Sequence, residues 1–254
     1  MSLLKKLIFL VAVFVICVFH SIKAQQFVGD NQWVAPRGVS TLVATFGQDY
    51  SQFYFVTAIF QEWEFNSQFV YYYDDPRTNS DSYISPSFYM KRRLYQNEDE
   101  TAGYAVLGGV GLFPQHLDLG EVLSSFQSWW VVGVATYAFA DNSILWDILP
   151  GATANLDHKQ TGETAWGFTY SSRVAVYKII PKSAVVGEVF GTAGEASSPF
   201  SYRLGVRFEQ TKWIAALTYS SAFDSSYGAG LEFGVMFFTE PMYGKNRRKR
   251  LAKF

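Results

Sequence analysis

The chain has 254 residues, 49% of them hydrophobic, 18% aromatic and only 17% charged, with a formal net charge of −1. It contains one cysteine, Cys17, which excludes an intramolecular disulfide framework and a cysteine-built metal site. The charge is unevenly spread: residues 25–244 carry 12 Lys and Arg against 22 Asp and Glu, and the closing stretch KNRRKRLAKF carries six Lys or Arg.

In chain order, Lys5 and Lys6 precede the apolar run LIFLVAVFVICVF, and HSIKA follows it. A basic start, a short apolar stretch and a small residue form the pattern of a secretory signal peptide, and cleavage is expected after Ala24. Ile16 before Cys17 argues against a lipoprotein signal, and Cys17 leaves with the signal. The mature chain then has no thiolate nucleophile, and its export argues against nucleic acid as a partner. The domain reading is signal peptide 1–24, barrel 25–240 and basic tail 241–254. The tail reads as a solvated end, with anionic lipid headgroups or the cell wall as the alternative contact.

Beyond the signal lies a string of short alternating segments. They are read at 38–47, 52–62, 64–73, 82–95, 102–113, 129–140, 144–156, 163–178, 183–192, 200–209, 211–221 and 228–238. Each is near the length a tilted strand needs to cross a bilayer, and an even number suits a closed antiparallel barrel. Turn-rich breaks separate them: DDPRTNSDS, QNEDET, NLDHKQTGE and GTAGEASSP read as loops, and EWE, ADN and EQT as tight turns. LDLGEVLSSF (117–126) is the one expected helix, in a loop or as a lumen plug.

The stretch FSYRLGVRFEQ shows how the faces divide. Tyr202, Leu204, Val206 and Phe208 alternate with Arg203, Gly205, Arg207 and Glu209, so one face is bulky and apolar and the other charged. The same holds in GAGLEFGVMFF, TKWIAALTYSS, SYISPSFYMKRRLY and ILWDILPGATAN. Large apolar faces with aromatics towards the strand ends suit a lipid-facing band with girdles. The fold class is therefore all-β, a transmembrane antiparallel β-barrel of about twelve strands in the outer membrane of a Gram-negative-type cell. A soluble sandwich is the weaker alternative. Closure leaves no free edge, so the expected state is a monomer in contact with outer-membrane lipid.

The expected lumen-lining residues are Lys91, Arg93, Asp147, Glu188, Arg203, Arg207 and Glu232, with Glu64, Asn66 and Gln68 on other strands. One reading is a paired charge network that fills and closes a narrow barrel. The other is a polar constriction that selects a small-molecule solute, whose identity the sequence leaves open.

Two stretches resemble a known family. SYISPSFYMKRRLYQNEDETAGYAVLGGVGLFPQ runs as strand, polar turn and Gly-rich strand ending in Pro. Residues 177–238 place Glu188, Phe190 and Gly191 on a strand followed by three closing strands. Both are similar to the outer-membrane transporter family named for the MetA pathway of phenol degradation. The likeness is one of pattern and covers most of residues 40–240. It implies an outer-membrane barrel that transports small molecules, hydrophobic ones included, and it brings no catalytic residue. The chain departs from the pattern at LFPQHLDLG, where a small Thr-Gly is expected after Pro, and in its basic tail.

Three functions remain in view: a channel or transporter, a sealed structural barrel, and an outer-membrane lipid-modifying hydrolase. A hydrolase needs a nucleophile, a base and an orienting group. The mature sequence offers only His116 and His158, both in expected loops, and no GxSxG. The expectation is a non-enzyme with no catalytic residues, no cofactor and no metal, although HLDLGE could ligate a cation.

Overall fold

The computed structural model describes residues 31–48, 50–73, 82–113, 126–156, 162–223 and 230–242. The expected signal peptide, the 117–125 part of the expected helix, His116, His158 and the tail beyond Met242 lie outside these residues.

Twelve strands form one closed antiparallel barrel. They are β1 (Ser40–Phe46), β2 (Tyr50–Thr57), β3 (Trp63–Tyr72), β4 (Tyr83–Gln96), β5 (Ala102–Val110) and β6 (Ser128–Phe139). After them come β7 (Ile144–Asn155), β8 (Ala165–Tyr177), β9 (Ser183–Gly194), β10 (Ser198–Glu209), β11 (Trp213–Ala222) and β12 (Gly230–Phe238). Each strand pairs with its sequence neighbours, and β1 pairs with β12 from Thr41↔Phe238 to Phe46↔Phe233. Closure leaves no strand edge without a neighbouring strand, which a hydrocarbon environment requires.

The connections define two ends. The five links at 58–62, 97–101, 140–143, 178–182 and 210–212 are all short and lie at one end, called here the turn end, from which β1 starts and to which β12 returns. Among the described residues, seven non-glycine residues adopt positive φ: Glu62, Glu100, Ala140, Asp141, Asn142, Lys178 and Lys182. All seven sit in these tight links. The opposite, loop end carries the longer connections, but not uniformly. Residues 191–199, expected as a loop, are mostly strand: β9 runs on to Gly194, whose φ of +117° turns the chain, and β10 restarts at Ser198. The expected segment 52–62 is also corrected, since β2 spans Tyr50–Thr57 and AIFQE forms the turn.

The alternation read from FSYRLGVRFEQ is the alternation of the wall. Leu204 and Val206 are 57% and 53% exposed on the outside, while Arg207 is 2% exposed within. The outer surface is a continuous apolar band that includes Leu42, Phe53, Phe69, Ile84, Phe168, Leu231 and Phe237, all well exposed. Among the described residues no helix is long and apolar enough to cross a membrane. Pro86 and Pro150 both point outwards. Opposite Pro150, which has no N–H to donate, the β6–β7 ladder is interrupted between Val132↔Gly151 and Ala135↔Ile148.

The inside is not uniformly polar. Ala105, Leu107, Trp130, Val132, Val134 and Leu149 from β5 to β7 join Val43, Tyr54, Tyr89, Ile214 and Met236 in one buried apolar cluster. Trp130 anchors it, with ring centroids 5.2 Å from Tyr89 and 5.0 Å from Phe113, and its indole N–H donates to the Gly111 carbonyl at 3.1 Å. The lumen therefore has an apolar wall on β5–β7 and a charged wall from β7 round to β12.

Val206 tests the facing. Val206→Arg places a cation on the outer band near mid-strand, and unfolding in vesicles is expected to show a loss of roughly 2–4 kcal/mol. Replacement by Leu should leave stability close to that of the parent.

Candidate functional site

The charged wall follows from register. Residues directly opposite one another in neighbouring strands share a face. Thr136↔Asp147, Asp147↔Arg173, Arg173↔Glu188, Glu188↔Arg203 and Arg203↔Ser220 are successive opposite pairs across β6 to β11. One inward row thus reads Thr, Asp, Arg, Glu, Arg, Ser, with its charges alternating in sign. Each charge has an opposite one across at least one ladder step, which offsets the cost of taking it out of water.

The contacts bear this out. Arg173 Nη2 lies 3.1 Å from Asp147 Oδ2, and Thr136 Oγ1 donates to Asp147 Oδ1 at 2.6 Å. Arg203 bridges two carboxylates: Nη1 is 3.3 Å from Glu188 Oε2, and Nε is 3.3 Å from Glu232 Oε2. Its guanidinium also lies 5.3 Å from the Phe190 ring centroid. Ser171 Oγ donates to Glu188 at 2.7 Å, Thr218 Oγ1 donates to Glu232 at 3.0 Å, and the Tyr50 hydroxyl donates to Glu232 as well. Nearer the turn end, Arg207 Nε is 2.5 Å from Glu209 Oε1, and Arg207 also donates to the Tyr177 hydroxyl. Beside Arg203 and Arg207 the wall leaves a cavity of about 60 Å3.

Of the expected lumen residues, Asp147, Glu188, Arg203, Arg207 and Glu232 come together on this wall. Lys91 faces inwards on the other side of the barrel and pairs with Glu64 at 3.5 Å. Arg93 stands apart: it lies beside the register shift between Arg93 and Tyr95 on β4, donates to Gln96 and is 3.9 Å from Glu62 at the turn-end rim. The sequence reading passed over Arg173, Tyr50 and Tyr177. Arg173 was detectable, because Thr169, Ser171, Arg173 and Ala175 form the small and polar half of an alternating strand.

A further element enters the lumen. The segment before β1 turns inwards, and Asn31, Gln32, Val34 and Ala35 are buried. Three bonds tie its main chain to wall side chains. Gln32 N donates to Thr136 Oγ1 at 3.0 Å, Ala35 N donates to Glu64 Oε1 at 2.6 Å, and Lys91 Nζ donates to the Trp33 carbonyl at 2.6 Å. Thr136 and the Lys91–Glu64 pair therefore hold this strap as well as the wall. Room is made by Gly103, where a Cβ would stand 2.6 Å from Gln32 Oε1 and 2.5 Å from the Tyr95 carbonyl. The Gln32, Asn66 and Gln68 amides, all buried, have no hydrogen-bond partner among the described residues. At the turn end a vestibule of about 450 Å3 opens beside the strap, with Trp33, Tyr177, Ile214 and Phe238 among its apolar walls and Lys182, Glu209 and Glu240 among its charges.

No family model matches the chain. No curated protein matches it either. Solved structures do. The COG4313 outer membrane channel from Pseudomonas putida F1 is 10% identical, with 85% of this chain and 99% of that one covered and a TM-score of 0.49. LpxR from Salmonella typhimurium is 10% identical over 79% of this chain and 100% of that one, with a TM-score of 0.45. OmpT, an outer membrane protein of Vibrio cholerae, is 7% identical over 79% and 96%, with a TM-score of 0.38. At such identities and TM-scores the likeness goes no further than a closed β-barrel, and it does not show the MetA-pathway family. The expectation of a non-enzyme is corrected: a barrel fold alone gives no ground for excluding catalysis.

Arg203 is the test of the wall. Arg203→Met leaves Glu188 and Glu232 buried without their shared cation and should cost about 3–5 kcal/mol in chemical unfolding. Adding Glu188→Gln and Glu232→Gln to that variant should recover most of the loss.

Proposed function

We propose that the protein is an outer-membrane conduit for small solutes, closed at rest by its own N-terminal strap. The observation that carries this reading is the strap itself. A lumen meant only to be filled needs side chains, and β5–β7 supply them; here a length of main chain is inserted as well. It is held by three hydrogen bonds to ionic or hydroxyl side chains rather than by a strand ladder. Bonds of this kind exchange readily for water or solute, since each nets only about 1 kcal/mol, or somewhat more where a charge takes part. The vestibule beside the strap is the natural entry, and the alternating row of Asp147, Arg173, Glu188 and Arg203 is the selective surface once the strap withdraws. A sealed scaffold is the second reading, and the apolar cluster around Trp130 favours it.

Single-channel recording in planar bilayers tests the proposal. Wild-type protein should conduct in rare, brief steps. The pair Glu64→Leu/Lys91→Met, which removes the acceptor of the Ala35 N–H and the donor to the Trp33 carbonyl, should raise the open probability. Adding Arg203→Ala/Arg207→Ala should then shift ion selectivity. Silence from every variant, with heat-modifiable gel migration showing each one folded, would leave the sealed scaffold.

A further inference from the structure

The outer band is not evenly covered. Across β4 to β7, Met90↔Gly108, Gly108↔Val131 and Val131↔Ala152 are successive opposite pairs, and one row on, Trp129↔Ala154 and Ala154↔Trp166 follow. All face outwards, so glycine and two alanines sit where the band elsewhere carries Phe, Leu or Ile. The result is an open groove of about 730 Å3 in the outer wall. Phe88 and Met90 form one flank, and Trp129 and Trp166 the other. The tryptophans lie towards the loop end, and Trp129 Nε1 donates to the Phe126 carbonyl at 2.9 Å, which fixes that ring at the rim.

We infer that this groove is a binding site for one acyl chain of a membrane lipid, held more tightly than the lipid around the rest of the barrel. The inference rests on the membrane-spanning reading of the apolar band and not on transport. The groove is continuous with that band, and its floor and flanks are almost wholly apolar, so a hydrocarbon chain is the occupant the surroundings supply. A flat band of large side chains touches a chain along one side only. A groove touches it along three, and dispersion contacts add up with the number of atoms met. The indoles at the rim suit the level where an acyl chain meets its polar headgroup.

Glycine geometry supplies the test. At Gly108 a Cβ meets only ordinary contacts, 3.5 Å from the Trp130 carbonyl and 3.9 Å from Val131 Cγ2. Gly108→Leu/Ala152→Leu therefore fills the groove without disturbing the wall. Gly133 also faces outwards with open space, its nearest neighbour being the Pro150 carbonyl at 3.8 Å, and Gly133→Leu is the control. Each protein is reconstituted into dioleoylphosphatidylcholine vesicles, checked by flotation and heat-modifiable migration, extracted in detergent and examined by native mass spectrometry. Wild type and Gly133→Leu should each retain one lipid adduct under collisional activation, and the groove-filled variant should lose it. Flotation without an adduct, or an equal adduct in all three, overturns the groove and spares the membrane reading. Failure of wild type to float with the vesicles overturns both.

Discussion

Everything else in this molecule depends on the seam between β1 and β12. A strand that crosses a membrane cannot leave its N–H and C=O groups unpaired, and the first and last strands have only each other to pair with. Once that seam closes, the wall has no edge and the chain acquires a fixed inside. What then fills the inside becomes the second problem. β5–β7 fill it with aromatic and aliphatic side chains packed as in a soluble core. β7–β10 carry a row of charges that alternate in sign, and Glu232 on β12 joins it through Arg203. The charged row would not be stable on the lipid-facing side of its own strands, and that fixes the register there.

The number of strands and most of their limits were legible in the sequence, because alternation of bulky and small or charged residues is a period-two signal that survives in FSYRLGVRFEQ and GLEFGVMFF. It failed where both faces of a strand are apolar. SWWVVGVATYAF shows no alternation, so nothing in it told that Trp130, Val132 and Val134 face inwards, and the apolar wall went unforeseen. Loop lengths failed for a related reason: GTAGEASSP is rich in turn formers, but Thr192 is buried on the inner face and holds the strand past Gly191.

The site was legible one strand at a time but not as a site. Asp147, Glu188, Arg203 and Glu232 announce themselves as charges in otherwise apolar segments. Their partnership depends on which residues stand opposite, and that is a property of register, which depends on turns whose exact length the sequence leaves open. Arg93 shows the cost: it shares a strand with Lys91, two residues away, yet it stands at the turn-end rim beside Glu62 and apart from the charged wall. The strap was invisible for a simpler reason, since NQWVAP has no periodicity and its role is set entirely by the wall it touches.

That strap has a consequence for how the protein reaches its final form. It is joined directly to β1, and it reaches the lumen only from the end at which β1 begins. The strand that forms the seam with β12 therefore carries the inserted segment with it. Closing the barrel and placing this segment at its lumen are therefore one event and not two.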